Sequence, residues 1–209
     1  ALARAAVERV SEFTARDLCT VAFAGAKLSL GPILGICIPE AAVERVAEFD
    51  GAQIALMMRA VSKLSDNPGK FLPALERAAL PHVSSLKAVD LRNIAMAWAK
   101  AQAAEVVEPA ALADEFRVGS NNIVQRYIDG RLGNKHTLKG RDLGCLTASL
   151  ASSRTRDENA WAEIASSVTK KVAEIKADDL VQIAGSFSRA SQTDHEMLAA
   201  ISSRFKESP

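Results

Sequence analysis

Cysteine is scarce in this chain of 209 residues: Cys19, Cys37 and Cys145 are odd in number, far apart and free of any C-x-x-C spacing. Neither a disulfide framework nor a zinc site is indicated, and a reducing compartment fits best. Aromatic residues make up 5%, with one Tyr and two Trp, too few for a platform of interleaved stacking rings. No sign of charge dominates, since 26 Lys plus Arg face 25 Asp plus Glu for a net charge of +1. Bulk attraction to nucleic acid or anionic membranes is therefore excluded, and any polyanion contact must be local. Long apolar runs are missing as well. The most apolar stretch, Leu28 to Val43, is broken by Gly31, Pro32, Gly35, Pro39 and Glu40, short of the roughly 20 residues that cross a bilayer. No membrane insertion is expected. No targeting segment is visible at the N-terminus, and a start at Ala fits processing or an origin inside a longer chain.

Signatures of catalysis are absent too. His82, His136 and His195 are scattered, and no P-loop or dinucleotide fingerprint occurs. The acidic pairs Asp178-Asp179 and Asp157-Glu158 stand where helices begin, the ordinary place for carboxylates that complement the helix dipole. The expectation is a protein without catalytic residues, cofactor, metal or small-molecule substrate.

What the chain does have is repetition. The string AAVERVSEF at Ala5 to Phe13 returns as AAVERVAEF at Ala41 to Phe49, eight of nine residues identical at an offset of 36. Each copy belongs to a wider pattern: an apolar residue, three others, an acidic or amide residue, then Leu or Ile. Five such junctions occur, at Phe13/Asp17/Leu18, Phe49/Gln53/Ile54, Leu86/Asp90/Leu91, Leu138/Asp142/Leu143 and Ile175/Asp179/Leu180. Successive Asp or Gln positions are separated by 36, 37, 52 and 37 residues. A unit of about 37 residues thus recurs, one copy carrying an insertion of about 15 between Val118 and Thr137.

The junction reads as the entrance to a helix. An apolar residue before the cap, packing on one in the first turn, fixes how the chain enters. Thr14 and Asp50 are good N-caps, and the acidic residue three positions on favours the free N–H groups. Lys87, Lys139 and Lys176 stand at the caps of the other units, so there the Asp is expected to do more of the capping. Counting the Asp or Gln as zero, offsets 1, 4, 8 and 11 are mainly apolar and form one stripe at helical spacing, the expected core. Offset 7 is always small (Ala24, Ala60, Ala97, Ser149, Ser186), which admits a close neighbouring helix. A second amphipathic helix closes each unit, as at Ala41 to Phe49 and Ala160 to Ile175. Hairpins of this kind bury their apolar faces only by stacking, each large side chain adding roughly 1.5–3 kcal/mol. The sequence therefore predicts an all-α fold, one α-solenoid over 1–209 of about five helical hairpins. The units run 1–13 (partial), 14–49, 50–86, 87–138 with the insertion, 139–175 and 176–209. A chain that begins inside a second helix fits part of a longer array, or ends covered by partners.

The first helix of the third unit, Asp90-Leu-Arg-Asn-Ile-Ala-Met-Ala-Trp-Ala-Lys100, resembles that of the heptatricopeptide and octotricopeptide repeats. It is similar also to the repeat region of the FAST-kinase-like and RAP-domain proteins. The resemblance is strongest at Asp17 to Leu28, Asp90 to Lys100 and Asp179 to Arg189. It implies an organellar protein, mitochondrial or alternatively plastid, that acts on transcripts or ribosomal RNA, for example within a mitochondrial ribosome. The chain shows neither a RAP domain nor the Pro-rich signature of a full octotricopeptide unit, so neither nuclease activity nor a readable base code is carried over.

The side of the first helix opposite the stripe supplies the candidate RNA contacts. Offset 10 reads Lys27, Lys63, Lys100, Ser152 and Arg189, a basic column in four of five units; a cation near a helix C-terminus is also favoured by the dipole alone. Offset 3 adds hydrogen-bonding side chains, among them Asn93 and Gln182, able to reach base edges. The insertion brings Arg126, Arg131, Lys135, Lys139 and Arg141 against only Asp129, a local charge of +4 (five cations less one carboxylate); it reads either as a phosphate-binding loop or as a solvated linker. Two functions stay open: RNA binding through these residues, and a structural or adaptor solenoid that binds protein subunits of a larger organellar assembly.

Overall fold

The computed structural model describes residues 2–103, 138–152 and 158–206. Among the described residues the chain is all-helical, with no strand. The helices are α1 (Leu2–Glu8), α2 (Ala15–Lys27), α3 (Gly31–Leu34), α4 (Cys37–Glu44), α5 (Gly51–Leu64), α6 (Leu72–Ala79), α7 (Ala88–Ala103), α8 (Gly140–Ser152), α9 (Glu158–Lys171), α10 (Ala177–Arg189) and α11 (His195–Lys206). Short 3-10 turns at Val10–Glu12, Val46–Glu48, Pro68–Lys70 and Leu80–Ser85 complete the connections.

The junctions cap their helices as their residue types require. Thr14 and Asp17 exchange side-chain and backbone hydrogen bonds in a capping box, and so do Asp50 and Gln53. At two of the three lysine caps the Asp carboxylate accepts the cap's backbone N–H, Asp90 from Lys87 at 2.9 Å and Asp142 from Lys139 at 3.2 Å, whereas at Lys176 no such bond joins Asp179. The residue that follows each cap is small, namely Ala15, Gly51, Ala88, Gly140 and Ala177. At Gly51 a Cβ would lie 2.7 Å from His82 Cβ and 2.9 Å from Leu86 Cδ2; at Gly140 it would lie 2.8 Å from Ile175 Cγ2. Each of these glycines sits under the apolar residue that opens the next unit.

Helices that start in the same phase present the same faces. α2 packs on α5, α5 on α7, α7 on α8 and α8 on α10, while α4, α6, α9 and α11 lie behind them. The core follows the stripe: Leu18, Ile54, Leu91, Leu143 and Leu180 at offset 1 are all buried, as are Val61, Trp98, Leu150 and Phe187 at offset 8. The Trp161 ring of α9 meets Phe187 of α10 edge to face at 4.7 Å. Of the small offset-7 residues, Ala60, Ala97, Ser149 and Ser186 are fully covered, whereas Ala24 is exposed on the outermost first helix.

The exception in the stripe is Leu28, which is 69% exposed. α2 ends one residue earlier, and Ser29 takes a left-handed conformation (φ 55°) while Leu30 N–H bonds back to Gly25 O at 2.9 Å. Leu28 is thereby turned out of helical register. α10 stops in the same way at the equivalent position, with Ser191 at φ 54° and Gln192 N–H on Phe187 O. The second arms are less regular than the periodicity suggests. Gly31, Pro32, Gly35 and Pro39 break the first into α3 and α4, and Pro68, Pro73 and Pro81 divide the second between α6 and two 3-10 turns.

In two units a basic residue eight positions before the junction Asp or Gln bonds back to the carbonyl that opens the unit. Arg45 donates to Phe13 O at 2.5 Å, and Lys171, at the equivalent place, donates to Leu138 O at 3.0 Å. Arg45 also pairs with Glu48 at 2.6 Å. Arg9 repeats that pair with Glu12. Replacing Lys171 by Met removes a charge-assisted bond to a half-buried carbonyl and is expected to cost on the order of 1 kcal/mol in urea unfolding. Arg45→Ala is expected to lower the melting temperature more than Arg9→Ala does.

Behind α7 one carboxyl is out of place. Glu76 in α6 is 6% exposed and its Oε1 has no hydrogen-bond partner. Burial pushes the carboxyl up to about 7, although its contact with the Trp98 indole pulls the other way. A carboxyl raised above its unfolded value of 4.5 binds its proton more tightly in the native state. The stability it contributes is therefore complete below about pH 4.5 and is lost as pH rises through 7, a loss on the order of 3 kcal/mol. Glu76→Gln is expected to raise stability at pH 8, hardly change it at pH 4.5 and flatten the profile between, as followed by urea titration at each pH.

Candidate nucleic-acid interface

The common phase of the first helices decides which side chains share the front face. Offsets 2, 6 and 10 are four apart and so fall in one row on a helix. On α5 that row holds Ala55, Arg59 and Lys63; on α7 it holds Arg92, Met96 and Lys100. Because α5 lies along α7, two rows of cations are brought edge to edge. Lys63 and Lys100 are exposed, Arg59 and Arg92 half-buried.

Their proximity is registered in the protonation equilibria. The Lys100 ammonium is held below the usual lysine range by burial first, then by Lys63 and Arg59. Burial also lowers Arg59, and the Arg92 charge adds to it. Arg92 reaches further, to the buried Cys145 thiol of α8; burial raises that thiol, and Arg92 and Arg141 oppose the rise. Among the described residues the ion pairs are Arg9–Glu12, Arg45–Glu48 and Lys70–Glu40, so no carboxylate there neutralises the four cations on α5 and α7.

The other expected contacts divide. Lys27 is exposed, its ammonium 4.6 Å above the ring of Phe23, itself 41% exposed. Arg189 is exposed but hydrogen-bonded to Ser186 Oγ at 2.9 Å, and Ser152 separates it from Lys100 along the column. Asn93 is half-buried. Gln182 is already engaged: its Nε2 donates to Gly144 O at 2.7 Å, tying α10 to α8. Lys139 and Arg141 are exposed at the start of α8 and line a cleft of about 510 Å³ with Lys171, Lys176, Glu174 and Asp179. Arg126, Arg131 and Lys135 lie outside the described residues.

Offset 10 was therefore only part of the row. Arg59 and Arg92 fall outside the columns at offsets 3 and 10, and four-residue steps back from Lys63 and Lys100 reach both arginines. Among the described residues no group of His, Cys, Asp and Glu is placed to hold a metal ion, and no helix is long and apolar enough to cross a membrane. No protein-family model matches the chain, and no curated protein matches its sequence.

Like charges held together without counter-ions cost stability in the free protein, and salt relieves the cost. Lys100→Gln is expected to raise the melting temperature in low salt, with the gain disappearing near 1 M salt, where the screening length is about 3 Å.

Proposed function

We propose that this chain is a non-catalytic α-solenoid of about five helical hairpins, repeating every 37 residues or so, that binds RNA across the front face of its first helices. The observation that carries the reading is the cation cluster of α5 and α7, uncompensated by any described carboxylate in a chain whose net charge is only +1. A neutral protein that concentrates positive charge on one face spends stability there, and a polyanion restores it. The resemblance of the repeat to organellar RNA-binding proteins supports a mitochondrial setting, with plastids as the alternative, and a transcript or ribosomal RNA as the target within a larger assembly such as a mitochondrial ribosome. Lys27, Arg189 and the basic segment from Arg126 to Arg141 extend the contact beyond the cluster.

A second reading has its own support. Large apolar side chains stand exposed near both ends of the helix row, Ile36 at 68% and Leu28 at 69% on one side, Val181 at 61% on the other. Such residues suit protein neighbours. An adaptor role in the same assembly is compatible with RNA binding on the front.

Titrating single-stranded RNA against the protein across a salt series tests the proposal. Four to five phosphate contacts predict a log-log slope near −3, a loss on the order of fiftyfold between 50 and 200 mM salt. No binding at 50 mM would leave the adaptor reading in its place.

A further inference from the structure

The front face carries more than charge. Phe23 occupies offset 6 of α2, the register position that Arg59 holds on the adjacent α5. It is one of the few large apolar side chains exposed on a first helix, and it lies beside the cation rows rather than at a junction. Lys27 sits on its ring at 4.6 Å. A positive group on an aromatic ring, with Arg59 and Lys63 on the adjacent α5 and two further cations on α7 beyond it, matches both parts of an unpaired nucleotide: the phosphate and the face of the base. A duplex keeps its bases stacked inside and would leave the ring without a partner.

The column does not continue with equal strength along the array. Ser152 interrupts it after Lys100, and Arg189 is engaged by Ser186. Along the helix axis Arg59 and Lys63 of α5 are about 6 Å apart and Arg92 and Lys100 of α7, with Met96 between them, about 12 Å apart, and the rows are about 8–10 Å apart. These are distances over which an extended strand can present successive phosphates. Lys63 and Lys100 stand on an open face, which suits a polymer passing over them.

We propose that Arg59, Lys63, Arg92 and Lys100 form one phosphate-binding site for single-stranded RNA, and that Phe23 stacks a base of the same strand as it leaves the site. The inference rests on the RNA-binding reading and narrows it, from a ladder spread over five units to two helices and one aromatic ring. Lys27 then serves the strand at the ring, and the start of α8 is a separate surface.

The test uses the whole chain and a fluorescein-labelled oligouridylate of about 16 nucleotides, alone or annealed to its complement. Anisotropy is read between 50 and 200 mM salt. The double variant Lys63→Gln/Lys100→Gln is expected to reduce the slope by about 1.4, two contacts at about 0.7 each. Phe23→Leu is expected to weaken single-strand binding at least about fivefold and leave the slope unchanged. Wild type should prefer the single strand to the duplex, and that preference should shrink in Phe23→Leu. Both lysines and Phe23 are exposed, and circular dichroism melts verify that each variant is folded. An unaltered slope in the lysine variant, with the loss appearing instead in Lys139→Gln/Arg141→Gln, would move the site to the start of α8 and overturn the inference while RNA binding stands. Equal affinity of Phe23→Leu and wild type would overturn the stacking role. Absence of wild-type binding at 50 mM would overturn the RNA reading itself, and this inference with it.

Discussion

The fixed phase at which each first helix begins is the constraint from which the remaining architecture follows. It is set by two things at one junction: a cap that decides which residue is first in the helix, and a small residue after it that lets the next unit's apolar side chain settle on top. At Gly51 and Gly140 that approach leaves no room for a Cβ. Ala15 and Ala88 are buried in the equivalent place, and Ala177, which no later unit covers among the described residues, is exposed. A helix that began one residue early would rotate by about 100°, turning its stripe away from its neighbours. Capping boxes at α2 and α5, and Asp carboxylates at α7 and α8, guard against that slip.

From the common phase comes the cation cluster. Residues on different helices converge only if their helices are in register, so Lys63 and Lys100 meet because Gln53 and Asp90 are aligned. Their meeting is a cost to the fold. Folding alone gives no reason to place Arg59, Lys63, Arg92 and Lys100 on one face when Arg9 and Arg45 elsewhere are each supplied with a glutamate three residues on. Arg9 and Arg45 each have a glutamate partner, whereas no ion pair among the described residues reaches Arg59, Lys63, Arg92 or Lys100. That difference, rather than the number of basic residues, marks the front face as the place where positive charge is concentrated.

How much of this could be read from the residues depends on whether the effect is local. Helix starts, the core stripe and the small offset-7 positions depend on neighbours within a turn or on the 37-residue register, and both are visible in the string. The Arg45 bond to Phe13 O and the Gln182 bond to Gly144 O span 32 and 38 residues, and neither residue type demands such a partner. Gln182 looked like a base-reading side chain because an amide on a helix face looks the same whether it meets a base or a backbone carbonyl. Leu28 looked like core because helical periodicity does not announce that Ser29 ends the helix with a positive φ. Arg59 was hidden for a simpler reason: its unit-one counterpart is Phe23 and its unit-four counterpart Ala148, so no column of like residues drew the eye to offset 6.

That variability at offset 6 bears on what the face does. A position that serves the core, such as offset 1, is buried in every unit, and its residues (Leu18, Ile54, Leu91, Leu143, Leu180) stay within one chemical type. Offset 6 is covered unequally, from the exposed Phe23 through the half-buried Arg59, Met96 and Gly185 to the buried Ala148, and holds a ring, a cation, a thioether and two small residues. A position that packing covers unequally is one at which each unit can carry a different side chain. The front face is then assembled by register and differentiated by side chain: the packing of the first helices sets the spacing, and the unlike residues at one offset set the local chemistry.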